Sequence, residues 1–301
     1  MSASKHNPGR GKKKDWHDIA ETLKEKKFSV TEICRNFGKS RAAFYKENKE
    51  RQRRKVDEEL ILQLVRKIRE IHPRAGVEKL VIYLKPEFEK AGVKIGRDKL
   101  ADLLGKHRML VEPRKNYTPK TTRYDESLPV ASNLIKDIKP TAPNQIYVAD
   151  ITYIRTAEGF LYLSLITDLF SRMIVGCDAG ESLETQGCLK ALQMARKALG
   201  KKPPPIHHSD RGCQYSSRLY RKTLREASMK CSMTEELHCY ENSVAERVNG
   251  ILKQEYFLDL SFRTKKDALK AIKQAVYVYN HLRIHKSLDY KTPFSVHKKA
   301  A

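Results

Sequence analysis

The chain has 301 residues, of which 60 are Lys or Arg and 36 are Asp or Glu, for a formal net charge of +24. Its length leaves room for two or three domains. Its charge points to polyanionic partners, nucleic acid first, with a basic ribosomal-type or merely soluble protein as the alternative. No apolar run reaches the ~18 residues of a membrane span, none of the six cysteines forms a CxxC pair, and no signal-peptide pattern opens the chain, so a cytoplasmic setting with reduced thiols is expected.

Residues 1–14 are polar and basic, and are expected to be an arm that stays disordered until bound. Residues 1–55 hold 17 Lys or Arg against 7 Asp or Glu, so a basic module should follow the arm over 15–55. In it Trp16, Ile19, Ala20 and Leu23 share a helical face. Ser29 and Glu32 have the spacing of a capping box for a short helix carrying Ile33 and Cys34. Gly38 supplies a turn, and Ser40 can cap a second helix through Arg41, Ala42, Phe44, Tyr45 and Lys46. This is helix-turn-helix spacing, in which the second helix enters the major groove. Arg41, Tyr45 and Lys46 are its candidate DNA contacts. An ordinary helical hairpin with a basic face is the alternative.

From about Val56 to His72, Leu60, Ile61, Leu64, Val65, Ile68 and Ile71 follow a helical period. Val77, Leu80, Val81 and Leu84 predict another helix ending near Pro86, and Leu100, Leu103 and Leu104 a third. Residues 56–110 thus read as a second helix-turn-helix-like module or a helical spacer. Residues 111–143 contain five prolines and read as a linker, with Arg114 and Lys115 placed to track a phosphate backbone.

The pattern then switches to strands. IYVADITYIR, GFLYLSLITDLFSR and MIVGCDAG are rich in Ile, Val, Leu and Tyr, with turn sites at Glu158-Gly159 and Ser171-Arg172. A helix over 183–199, a strand IHHS, a helix over 217–227, a strand MKCSM, and helices over 242–257 and 265–282 follow. Three strands, helix, strand, helix, strand, helix is the order of a ribonuclease-H-like fold. The expected class is therefore α/β with a mixed sheet (α+β), a core over 144–293 preceded by small all-α helix-turn-helix domains, with a tail over 294–301.

Three acids fall at telling places: Asp150 within the first strand, Asp210 just past the fourth, and Glu246 on the helix at 242–257. Clustered carboxylates repel unless a cation sits between them. Mg²⁺ takes oxygen ligands and leaves room for substrate phosphates, and paired ions suit phosphodiester chemistry without a nucleophilic side chain. Lys253 lies seven residues after Glu246, on the same helical face, where it can hold a phosphate. Singly, each acid reads as readily as a solvated strand residue, a turn cap or an exposed helix acid; together with Lys253 they read as a site. His208 is a candidate contact beside Asp210. Tyr279, Asn280, Arg283 and His285 are candidates for stacking and phosphate hydrogen bonds, with packing of the last helix as the alternative for Tyr279. The spacing of His207, His208, Cys213, Cys231, His238 and Cys239 matches no common zinc finger.

The stretches NQIYVADITYI, HSDRGCQYSS, ENSVAERVNGILKQEYF and YNHLRIHKSLDYKTP resemble the signatures of the DDE transposases with an integrase core, in particular the second-reading-frame (orfB-type) protein of bacterial insertion sequences. The resemblance covers about 144–293 closely and the helix-turn-helix at 29–46 more loosely. It implies metal-dependent cleavage of DNA by water at insertion-sequence ends, then strand transfer by the freed 3′-hydroxyl. It assigns Asp150, Asp210 and Glu246 to Mg²⁺ or Mn²⁺, two ions per site, and Lys253 to DNA. The implied partners are double-stranded DNA at element ends and target, at least one further copy of the chain, and an upstream-frame protein, in a nucleoid-associated setting. The chain departs from the family at Tyr147, where Trp is usual, at Glu241 and Ser243 (Asp and Ala), and at Ile284 (Pro). A non-catalytic DNA-binding regulator or domesticated remnant is the alternative function, and a nuclease that never joins strands is a third.

Overall fold

A computed structural model describes residues 16–112, 130–235 and 241–299; the expected arm, the tip of the tail, Arg114, Lys115, His238 and Cys239 lie outside them. The chain divides into two compact units, residues 1–66 with 86–95, and residues 67–85 with 96–301.

In the first unit, α1 (Trp16–Glu25), α2 (Val30–Asn36) and the start of α3 (Arg41–Ile71) enclose a small core. Ala20, Ile33, Cys34 and Phe44 are buried there, with Trp16, Leu23, Val30 and Phe37 packed around them. The capping box forms: the Glu32 amide donates to Ser29 Oγ (3.2 Å) and the Ser29 amide to Glu32 Oε2 (3.0 Å). Gly38 turns at φ +62°, and the Ala43 amide donates to Ser40 Oγ (3.1 Å). Arg41, Tyr45 and Lys46 stay exposed.

Two helix ends differ from the sequence reading. The short helix at 41–46 and the helix from about 56 are one 31-residue helix, α3, so the expected boundary between 55 and 56 falls inside it. The stretch between them lacks an apolar period, but its Lys, Glu, Arg and Gln are strong helix formers with no Gly or Pro to stop them. Helix α4 (Val77–Ala91) runs through Pro86. Proline deletes one backbone hydrogen bond there, and the helix ends instead before Gly92, which takes φ +66°.

The second unit holds α5 (Arg97–Lys106) and a five-stranded sheet ordered β3-β2-β1-β4-β5. Strands β1 (Ile146–Thr156), β2 (Gly159–Asp168) and β3 (Ile174–Gly180) form an antiparallel meander. Strands β4 (Ile206–Ser209) and β5 (Lys230–Met233) add in parallel beside β1. Parallel neighbours need crossovers. These are α6 (Thr185–Leu199), and the short α7 (Cys213–Ser216) with α8 (Arg218–Glu226). Their apolar sides pack on Tyr147, Ala149, Ile166 and Val175. The opposite face is covered by α9 (Ser243–Glu255) and α10 (Lys265–His281), packed on Ile154, Leu161, Leu163, Leu165 and Ile174. Helix α6 lies so close to β3 that a Cβ on Gly176 would sit 2.2 Å from the Ala191 carbonyl oxygen. Two crossovers, a meander and two apolar faces make the mixed-sheet, ribonuclease-H-like architecture expected from the element order.

A short helix, α11 (Pro293–Lys299), closes the described chain. No helix among the described residues is long and apolar enough to cross a membrane.

Candidate active site

Register places two of the acids. The last pair between β1 and β4 is Ala149 with Ser209, so Asp150 and Asp210 are the next residues on adjacent parallel strands, whose backbones run about 4.8 Å apart. Beyond this point β1 has no β4 partner, and its edge is open until the Phe262 backbone pairs with Arg155 and Ala157. Helix α9 crosses beside that edge and is tied to β1 on both sides of Glu246. Asn242 Nδ2 donates to the Ala149 carbonyl (3.0 Å), and Asn249 Nδ2 to Asp150 Oδ2 (2.9 Å). Residues 242, 246, 249 and 253 share one helical stripe, so pinning the first and third aims Glu246 and Lys253 at the same edge.

The charges respond to one another. Loss of solvent, then the nearby Asp210 charge, push the Asp150 carboxyl up to about 7, with a smaller push from Glu246; the Asn249 and Ile151 hydrogen bonds oppose this. Burial and then Asp210 raise Glu246. Burial lowers Lys253, partly offset by attraction to Asp150. Asp210 Oδ1 accepts the Gly212 amide (3.0 Å), and a Cβ on Gly212 would press on that oxygen at 3.0 Å.

The three acids thus occupy one electrostatic neighbourhood, but they are not closed into a cage: among the described residues no three His, Cys, Asp or Glu side chains are grouped to hold a metal. Hard carboxylate oxygens at an open strand edge, one of them pushed up to about 7 by burial and its neighbours, fit a divalent ion and fit no soft-ligand metal.

The structure separates the other candidates. His208 is buried on β4, its Nδ1 2.8 Å from Ser232 Oγ, and burial lowers its basicity to about 4. His207 bonds Tyr220 (2.9 Å). Tyr279, Asn280, Arg283 and His285, candidates for DNA contact, are all buried. The Tyr279 hydroxyl donates to the Arg172 carbonyl (3.0 Å). Asn280 bonds the backbone of Ile174 in both senses at 2.9 Å. Arg283 grips Glu255 at 2.6 and 2.8 Å, and His285 packs edge-on against Tyr279. Their side chains are turned to the interior, where His285 Nε2 has no hydrogen-bond partner, so in this conformation they pack the end of α10 onto the core rather than face DNA.

The family departures have local accommodations. The Tyr147 hydroxyl donates to Asn144 Oδ1 (2.6 Å). The Glu241 carboxylate accepts the Glu235 amide rather than capping α9. The Ile284 amide donates to the Tyr83 hydroxyl (3.0 Å), a bond proline cannot make. Sequence reasoning missed Asn242 and Asn249, although their spacing of −4 and +3 around Glu246 was a visible signal.

Residues 140–239 match the integrase core domain family, and residues 227–293 match a second integrase core domain family. The Shigella sonnei "Insertion element IS600 uncharacterized 31 kDa protein" is 34% identical over 275 residues, covering 89% of this chain and 98% of its own. The transposase for insertion sequence element IS904 of Lactococcus lactis is 38% identical over 163 residues, 54% of this chain and 64% of its own. The HTLV-2 integrase catalytic core domain aligns with 53% of this chain and 99% of its own at 22% identity and a TM-score of 0.43, too distant to carry any residue's role across. The integrase-core matches define a polynucleotidyl transferase of the integrase-core class. The chain belongs to the insertion-sequence DDE transposases with an integrase core, a family whose work is DNA transposition and integration.

Proposed function

We propose that this chain cuts DNA at the ends of its own insertion sequence and joins the freed strand to target DNA, with Asp150, Asp210 and Glu246 holding two divalent cations, Mg²⁺ or Mn²⁺. The observation that carries this reading is the placement of Asp150 beside Asp210 at an open strand edge, with Asn249 holding one of its oxygens. Such a pair of ions, when bound, supplies positive charge to both the attacking and the leaving oxygen of a phosphodiester.

The rest falls to the chain's own groups. Asp150 presents its oxygens from within β1 and Asp210 from just past the end of β4, and Glu246 presents its own from a helix pinned to β1. Lys253, two turns on, holds a DNA phosphate; burial lowers its basicity and the Asp150 charge partly opposes this. Water is the first attacking oxygen and breaks the bond that leaves a 3′-hydroxyl. That hydroxyl attacks a target phosphate, and the target's own 3′-oxygen departs. Arg41, Tyr45 and Lys46, exposed on α3, contact the element's DNA. Two ends must be handled together, so the working form has at least two copies, and an upstream-frame protein contributes to end recognition.

The test is cleavage and joining of end-containing DNA in Mg²⁺ or Mn²⁺. Asp150→Asn, Asp210→Asn and Glu246→Gln are each expected to remove both activities while DNA binding persists. Full cleavage by all three variants overturns the assignment. Cleavage without joined products by the wild-type chain makes it a nuclease, and neither activity makes it a regulator.

A further inference from the structure

Past Ala149, the β1–β2 hairpin carries the opposed pairs Tyr153 with Tyr162 and Arg155 with Phe160. Opposed residues of an antiparallel pair point to the same face, and so do residues two apart. Tyr153, Arg155, Phe160 and Tyr162 therefore share one surface. On β3 the partner of Tyr162 is Gly180, which adds no side chain. Further along β2 the same face is covered by α6, where Ser164 Oγ lies 3.6 Å from Cys188 Sγ. The patch is the part of the sheet α6 leaves uncovered: Phe160 is 49% exposed, Arg155 is exposed, and both tyrosines are half-buried. Its rings are already ordered, with Phe160 edge-on to Tyr153 at 5.7 Å. Lys253 links it to the acids, its Nζ lying 4.2 Å from the Tyr153 ring centroid while attracted by Asp150. Tyr153 is three residues from Asp150, about 10 Å along the strand and on the opposite face of β1, so Lys253 is the side chain that reaches from the acid's face to the ring.

We propose that Tyr153, Phe160 and Tyr162 form a stacking platform for unpaired DNA bases next to the phosphate at Asp150. Aromatic faces interleaved with cations bind single strands, because every base offers a π-face and every nucleotide a phosphate. Arg155 and Lys253 meet the phosphates while the rings take the bases. The platform rests on the reading of Asp150 as part of a DNA-cleaving site, and adds that the DNA beside the cut is unpaired.

The test uses the full chain in EDTA and a short single-stranded oligonucleotide carrying 2-aminopurine, whose fluorescence falls when the base stacks. Wild type is expected to quench it. Phe160→Leu and Tyr162→Leu should each lose most of the quenching and bind the single strand about tenfold more weakly, with duplex affinity unchanged. Phe160→Trp should keep the quenching, which excludes misfolding as the cause. Unchanged quenching in both leucine variants overturns the platform, as does equal weakening for duplex and single strand. A shift in oligomeric state by light scattering with quenching intact makes the patch an interface between copies and overturns it too. Because no cation or cleavage is involved, cleavage by Asp150→Asn would remove the proposed function without altering this result.

Discussion

Asp150 carries a cost that its position explains. A carboxyl ordinarily near 3.8 is pushed up to about 7 by burial and by Asp210. Between those pH values the folded chain keeps a proton the unfolded chain has lost, so stability falls as pH rises through this window, and the full penalty applies above about 7. Asparagine has no charge to desolvate. Without divalent ions, Asp150→Asn is expected to melt a few degrees above wild type at pH 8, and the gap should close near pH 4. Mg²⁺ should raise the wild-type midpoint at pH 8 and move the variant less, because a ligand that binds only the folded form stabilises it. Differential scanning fluorimetry across pH checks both; a pH-independent gap would mean the substitution acts through packing. The three acids were legible from order and neighbours alone. The register that sets Asp150 beside Asp210 was not, because strand pairing between segments distant in sequence leaves no pattern in it.

Helix α9 is fixed at two ends by different chemistry. At its start Asn242, and at its middle Asn249, tie it to β1. At its end, Glu255 accepts Arg283 and Lys79. Burial pushes Glu255 up, but the hydrogen bonds and charge of Arg283, then Lys79, override this and hold it near 2. Arg283 is only 5% exposed, so Arg283→Ala leaves a half-buried carboxylate short of its main partner, at a cost of about 3 kcal/mol. A depressed carboxyl stabilises above its ordinary value and loses that contribution as pH falls toward 2. The deficit should therefore be full at neutral pH and shrink below about 4, as urea titrations at pH 7 and 3 can show; an equal deficit at both would refute an ionic origin. At this scale the sequence speaks through period and punctuation. Strands β1 to β3 and helix α9 announced themselves by apolar pattern and turn residues. The continuity of α3 did not, because a charged helix has no apolar stripe to count. Asn280, Arg283 and His285 looked like DNA contacts because polar residues read as surface until their buried partners are known.

The whole molecule carries +24, and every mobile cation it displaces from DNA makes binding salt-dependent. Arg41 and Lys46 are exposed on α3, whereas Phe44 between them is fully buried, so the helix offers its cations outward while its ring holds the small core. Removing either charge should leave that core intact. If each meets one phosphate, Arg41→Ala and Lys46→Ala should weaken DNA binding and lower the slope of log affinity against log salt by about one each. A base contact would weaken binding to end DNA more than to unrelated DNA, with little change in slope. Fluorescence anisotropy over a salt series with end and unrelated duplexes separates these cases, and unchanged affinity and slope in both variants would take α3 off the DNA. Exchanging Phe44 for Ala should lower binding differently: the unit loses its buried ring, at about 3 kcal/mol or more, and the loss should track unfolding by circular dichroism. Contact and scaffold are thereby distinguished within six residues of one helix.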